Sequence, residues 1–120
     1  MVNKMDRALI IRQPWIDLIL SGEKRWEMRS KPTNIRGRIG LIEQGTGLIV
    51  GECNLDYVGE PITNFDQGYG QHLHKIPNDI LYQHDFKWVY PWVLSAAKRY
   101  KSPIKYNHKR GAVTWIRLDN

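Results

Sequence analysis

The sequence predicts a mainly β protein with short helices, an α+β domain built on a five- to six-stranded β-barrel that is closed or nearly closed. Three observations point there. The apolar runs are short, and they either alternate with polar residues or are β-branched, as strands are. Ten glycines and six prolines punctuate 120 residues, so few elements can grow long. No strand–helix–strand unit repeats, which argues against a parallel α/β sheet. The length suits one domain covering residues 1–120.

Taken in order, Ala8, Leu9, Ile10 and Ile11 form a short apolar run that predicts a buried strand. Gln13-Pro14 stops it, and Pro14 suits the first position of a helix, where its missing N–H is no loss. Ile16, Ile19 and Leu20 then recur at helical spacing before Gly22, so residues 14–21 read as a short helix. From Lys24 to Arg29 the pattern alternates: Trp26 and Met28 fall on one face, and Arg25, Glu27 and Arg29 on the other. Such a strand can border a polar cleft. Arg36-Gly37-Arg38 enters a strand over residues 39–43. Gln44-Gly45-Thr46-Gly47 is a turn, and residues 48–58 complete a hairpin that Gly51 interrupts as a bulge or a close approach. Residues 59–85 are the least regular, with a short helix expected near residues 78–83. Residues 86–94 are aromatic and β-prone, the apolar stretch runs on to Ala97, and a basic segment follows. Residues 112–118 read as the final strand.

The bulk numbers narrow the function classes. The chain is 42% hydrophobic, enough to fill one core, so a globular domain is expected rather than a disordered one. No apolar run reaches the roughly 20 residues that a membrane helix needs. The opening residues, with Lys4, Asp6 and Arg7, match neither an export signal nor a transit peptide. Cys53 is alone, so no internal disulfide is expected, and it reads as a small buried hydrophobe in a reducing, cytoplasmic setting. No metal and no cofactor are expected: His72 and His74 near Asp66 make a poor ligand set and read as solvated loop histidines. The net charge of +6 favours polyanionic partners. The surplus sits in the C-terminal half, peaking at Lys98, Arg99, Lys101, Lys105, Lys109 and Arg110. That cluster, interleaved with Tyr100 and Tyr106, can track a nucleic-acid backbone.

Gln13-Pro14-Trp15 before a short helix, Gly22-Glu23-Lys24-Arg25-Trp26-Glu27-Met28-Arg29 after it, and then Arg36-Gly37-Arg38 form an ordered set. Together they resemble the activating signal cointegrator homology (ASCH) family, whose Gly-x-Lys-x-x-Glu-x-Arg pattern is complete at Gly22, Lys24, Glu27 and Arg29. The resemblance implies a barrel similar to the PUA domains that bind RNA. It also implies a cleft beside the first helix lined by Lys24 and Glu27. Family members are described as nucleic-acid binders, a few hydrolyse the acyl amide of N4-acylcytidines, and some are reported as ribonucleases.

Binding of RNA, DNA or a nucleoside or nucleotide in that cleft is therefore the expected function, by a protein expected to be monomeric. Lys24 is the candidate cleft cation or base. Glu27 is a candidate acceptor for a base amino group, such as cytosine N4. Lys24 and Glu27 differ by an odd number, so they share a cleft only if Lys24 belongs to the turn and not to the strand. Arg29, Arg36 and Arg38 are candidate phosphate contacts, with an ion pair to Glu27 as a further reading for Arg29. Gln13 is expected to cap the helix or line the cleft, and Trp15 and Trp88 are the aromatics expected to be exposed for stacking. The alternatives are a metal-free amidohydrolase or a ribonuclease in the same cleft. The hydrolases of the family carry Thr three residues after the Lys, where this chain has Glu27. Ser21, Ser30 and Thr33 are the nearby hydroxyls, Glu52 is a further carboxylate, and His72 and His74 are the acid–base candidates for a ribonuclease.

Overall fold

A computed structural model describes residues 5–118. Six strands form one sheet: β1 (Arg7–Ile11), β2 (Trp26–Arg29), β3 (Gly37–Glu43), β4 (Leu48–Val58), β5 (Tyr90–Lys105) and β6 (Trp115–Arg117). Their order across the sheet is β2-β5-β4-β3-β1-β6. All neighbours are antiparallel except β1 and β3, which run parallel. Helix α1 (Trp15–Leu20) follows β1, and α2 (Gln71–His74) and α3 (Asn78–Leu81) lie in the long excursion between β4 and β5.

The sheet curls because its apolar residues need cover on one side. Leu9, Ile11, Ile39, Leu41, Val50, Cys53, Leu55, Trp92 and Leu94 point inward and pack against Ile16, Ile19 and Leu20 of α1. The curl brings strands together that are distant in sheet order. Trp92 of β5 stacks on Trp115 of β6 with ring centroids 5.9 Å apart and planes 13° apart. The Arg29 guanidinium of β2 reaches the Ile10 carbonyl of β1 at 3.0 Å. The result is a curled six-stranded half-barrel with short helices, the mainly β barrel-like class expected from the sequence, with β2 and β6 at its two edges. A smaller outer core of Ala8, Ile10, Ile42, Ile49 and Ile116 lies on the other face.

The hairpin of β3 and β4 and the turn between them form as predicted, and Gly51 serves both roles expected of it. Register shifts beside it on the β5 side, and a Cβ built there would lie 2.5 Å from Leu20 Cδ2 and 2.5 Å from the Lys98 carbonyl. Three expectations need correction. Residues 86–89 are not strand, and β5 starts at Tyr90. It then continues through the basic segment to Lys105, because hydrogen bonding to β4 supplies the order that composition does not. The last strand is shorter than residues 112–118. At Ala96 the chain takes a φ of 51°, within a one-residue slip of β5 against β4. Cys53 is fully buried, and burial pushes its thiol up to about 12, as an inert core residue requires.

Gly51→Ala is expected to lower stability by about 1–3 kcal/mol, because α1 and β5 must both move to admit one methyl group. Urea unfolding measures this, and a variant as stable as the parent would contradict the packing described.

Candidate functional site

The Lys24 backbone N–H donates to the Leu18 carbonyl at 2.9 Å, so the residue sits in the turn that leaves α1, ahead of β2. This position removes the parity conflict with Glu27. Lys24 Nζ lies 3.9 Å from Glu27 Oε1 and 5.0 Å from the centre of the Trp15 ring. Lys24 is 2% exposed and Glu27 6% exposed, so both charges are buried. Glu27 pairs with Trp92 across β2 and β5 and shares its inward face. Met28, on the opposite face, is covered by Ile76 and Leu81 of the excursion. Both faces of β2 are therefore buried, and the charged one looks into the half-barrel.

Each charge has partners. Arg29 Nε donates to Glu27 Oε2 at 2.9 Å, with Nη2 2.8 Å from the same oxygen, and the guanidinium stands 5.5 Å above the Trp92 ring. Arg29 is thus occupied in orienting Glu27 and bridging to β1, which is the ion-pair reading of its role. Lys24 Nζ donates to the His74 carbonyl at 2.6 Å. Burial pushes the Lys24 pKa down to about 8, with the Glu27 carboxylate opposing the shift and Arg29 adding to it.

His74 corrects an expectation. It is fully buried, where a solvated loop residue was expected. Its Nδ1 accepts from the Ile76 N–H at 2.9 Å, so Nε2 carries the proton and faces the Tyr69 carbonyl at 3.2 Å. Burial holds its pKa below the usual range, with the Tyr69 contact opposing that shift. Its ring fixes a local turn, and the turn aims the carbonyl at Lys24. No local signal in the sequence marks this, because the contact spans fifty residues.

Around the buried pair opens a cleft of about 320 Å³. Its floor carries Lys24, Glu27 and Arg29; its walls are Ile10, Trp15, Met28, Ile76, Ile80, Phe86 and Trp88; Arg12, Gln44 and Val113 complete it. Trp15 is half-buried and Trp88 is 38% exposed. Sequence reasoning missed Arg12, Gln44 and Phe86. Arg12 has the same parity as Ile10 on β1, a signal that could have found it. None of the residues lining the cleft has a hydroxyl group.

The other candidates lie elsewhere. Gln13 donates its amide to Glu43 Oε2 at 3.2 Å, and α1 starts without a side-chain cap, so Gln13 neither caps the helix nor lines the cleft. Arg36 Nη1 folds back onto the Thr33 and Ile35 carbonyls, at 2.7 and 2.8 Å. Arg38 pairs with Glu52 and donates to Asn54 Oδ1 at 3.1 Å and to the Ala96 carbonyl at 2.8 Å. Tyr100 donates to Glu52 Oε1 at 2.8 Å. Arg36, Arg38 and Glu52 line a separate open groove. Arg99 is paired with Asp17 of α1 at 2.8 Å, while Lys98, Lys101, Lys109 and Arg110 are exposed and line neither depression. Ser21 Oγ donates to the Leu18 carbonyl at 2.9 Å, and Thr33 Oγ1 accepts from the Ile35 N–H at 3.2 Å, so both are used in turns. Among the described residues no group of three or more His, Cys, Asp or Glu is placed to hold a metal ion, and no helix is long and apolar enough to cross a membrane.

Lys24 should hold its proton below pH 8 and lose it above, which NMR of the lysine side chains can follow. A titration midpoint near pH 8, absent in Lys24→Met, is expected. A midpoint at the ordinary lysine value of about 10.4 would contradict the burial of the ammonium.

The comparisons with known proteins agree with this architecture. Over nearly its whole length the chain resembles a crystal structure of an ASCH protein from Zymomonas mobilis, with a TM-score of 0.74 and 12% identity over 98% of this chain and 90% of that one. Structures of two point mutants of the Zymomonas mobilis protein give TM-scores of 0.72 and 0.71, each at 14% identity, over 97% and 99% of this chain and 91% and 92% of theirs. At such identity these likenesses establish the fold. No curated protein matches the sequence. The sequence model of the ASCH domain matches residues 9–104, which run from within β1 through most of β5 and hold the whole Lys24–Arg29 segment, and the chain belongs to the ASCH domain family.

Proposed function

We propose that the cleft binds a nucleobase, presented by RNA or by a nucleotide. The observation that carries this is the buried Lys24–Glu27 pair on a floor walled by aromatic rings. Glu27 Oε2 is occupied by Arg29, while Oε1 accepts no hydrogen bond among the described residues. Beside it the Lys24 ammonium keeps donors to spare, since His74 takes one of three. An acceptor next to a donor complements a base edge that presents an amino group beside a ring nitrogen, as cytosine and adenine do. Trp15, Phe86 and Trp88 offer the stacking surfaces on which extruded bases are held. The exposed cations of the C-terminal half, Lys98, Lys101, Lys109 and Arg110, suit contact with the backbone of a longer RNA. Membership of the ASCH family points to the same substrate class.

Titration of labelled single-stranded RNA and of mononucleotides tests the proposal. In Glu27→Gln the amide oxygen stays with Arg29 and the NH₂ turns to the ligand, so donor meets donor. Affinity should fall about tenfold or more, the discrimination of about 1–3 kcal/mol that one base contact provides. Affinity should also fall as pH rises through 8, when Lys24 loses its charge, and for RNA it should weaken steeply between about 50 and 200 mM salt. Unchanged affinity in Glu27→Gln would rule out recognition through this pair.

A second reading, hydrolysis of an N4-acylated cytidine, has the lowered pKa of Lys24 in its favour. With no hydroxyl in the cleft, Glu27 would have to activate water. Release of cytidine from N4-acetylcytidine above the level of a Lys24→Ala control would support that reading, and equal rates would exclude it. A ribonuclease resting on His72 and His74 has less support, since both His74 ring nitrogens are engaged.

A further inference from the structure

Arg12 and Gln44 stand next to each other at one end of the cleft because of the parallel pairing of β1 and β3. Ile11 is opposite Glu43, so the residues that follow each strand leave the sheet side by side. Their backbones are fixed: the Arg12 carbonyl accepts from the Ile16 N–H at 3.2 Å, and the Gln44 N–H donates to the Ile11 carbonyl at 2.9 Å. Both side chains are exposed, both line the cleft, and among the described residues neither makes a side-chain hydrogen bond or ion pair. This contrasts with Arg29, whose guanidinium is consumed by Glu27 and the Ile10 carbonyl.

The charge balance of the cleft points the same way. Arg12, Lys24 and Arg29 line it against a single carboxylate, Glu27. Glu27 faces both Arg29 and Lys24, so these three groups together carry one surplus positive charge, and the exposed Arg12 adds a second. A partly enclosed cleft with surplus positive charge is complementary to an anionic ligand. A guanidinium at the rim is suited to phosphate, whose oxygens it can hold two at a time.

We propose that Arg12, with the Gln44 amide beside it, holds the 5′-phosphate of the nucleotide whose base lies against Lys24 and Glu27, so that the ligand is a 5′-phosphorylated nucleoside. This rests on the base-binding reading above. The phosphate comes from a free mononucleotide or from the 5′ end of a strand, and the chemistry at Arg12 is the same for both.

Calorimetric titration of the full chain with the four ribonucleosides, their 5′-monophosphates, and one hexaribonucleotide with and without a 5′-phosphate separates these cases. The parent protein should bind the phosphorylated form of its preferred nucleoside at least tenfold more tightly than the unphosphorylated form. In Arg12→Gln that ratio should fall to near one, with thermal unfolding showing that the variant remains folded. A monophosphate that binds as tightly as the phosphorylated hexamer identifies a free nucleotide; a tighter hexamer identifies a strand end. Equal affinity for nucleoside and monophosphate in the parent, or a phosphate advantage that survives in Arg12→Gln, would overturn the assignment while leaving base binding intact. Binding of none of the probes would overturn both.

Discussion

A carboxylate on the inward face of a strand has to be compensated, because its desolvation is worth several kcal/mol if it is left alone. Glu27 is in that position, and the Arg29 guanidinium compensates it from two residues along the same strand. The same guanidinium reaches across to the β1 carbonyl of Ile10 and rests over Trp92. One side chain therefore neutralises the buried acid, bridges the opening of the half-barrel and holds the cleft floor in shape. Lys24 depends on this arrangement. Its ammonium is tolerated at 2% exposure because Glu27 lies 3.9 Å away and the His74 carbonyl accepts a hydrogen bond from it. Buried ionic groups are weak contributors to stability. Their presence here is better understood as the requirement of a site than as a means of holding the fold together.

Much of the fold was legible because its signals are local. The run from Ala8 to Ile11, the helical spacing of Ile16, Ile19 and Leu20, and the interruption at Gly51 each depend on neighbours in sequence. β5 was legible only in part. Its second half is rich in lysine and exposed, and it is strand because β4 pairs with it. On the other side β2 covers Tyr90 to Val93 and the Arg25 carbonyl takes the Leu94 N–H, so one edge of β5 has no strand partner beyond Leu94 among the described residues. Lysines and Pro103 on such an edge also discourage pairing with another chain, which gives part of the basic segment a second reason to exist.

The candidate site divides along the same line. Alternation placed Glu27 and Arg29 on one face, and the parity argument placed Lys24 in the turn. The inward direction of that face was not legible, since it depends on Met28 finding cover in residues that look irregular. Nor were Phe86 and Gln44, which reach the cleft from distant segments, or His74, whose carbonyl meets Lys24 across fifty residues of sequence. Arg36 and Arg38 illustrate the opposite error. They belong to a motif of the family pattern, yet their guanidinium groups are taken up by local carbonyls and by Glu52 and Asn54. An arginine near a motif is free for a ligand only if the fold leaves its donors unused.

In the proposed site, ligand enters between the rings beside Lys24 and Glu27. The five tryptophans make this directly visible, since each indole N–H gives its own resonance in a proton–nitrogen NMR spectrum. Trp15 and Trp88 line the cleft, whereas Trp92 donates to the Lys31 carbonyl at 2.9 Å and stacks on Trp115 in the core. On addition of a mononucleotide the largest indole shifts are expected at Trp15 and Trp88. Saturable shifts elsewhere in the spectrum, with Trp15 and Trp88 unmoved, would contradict binding there.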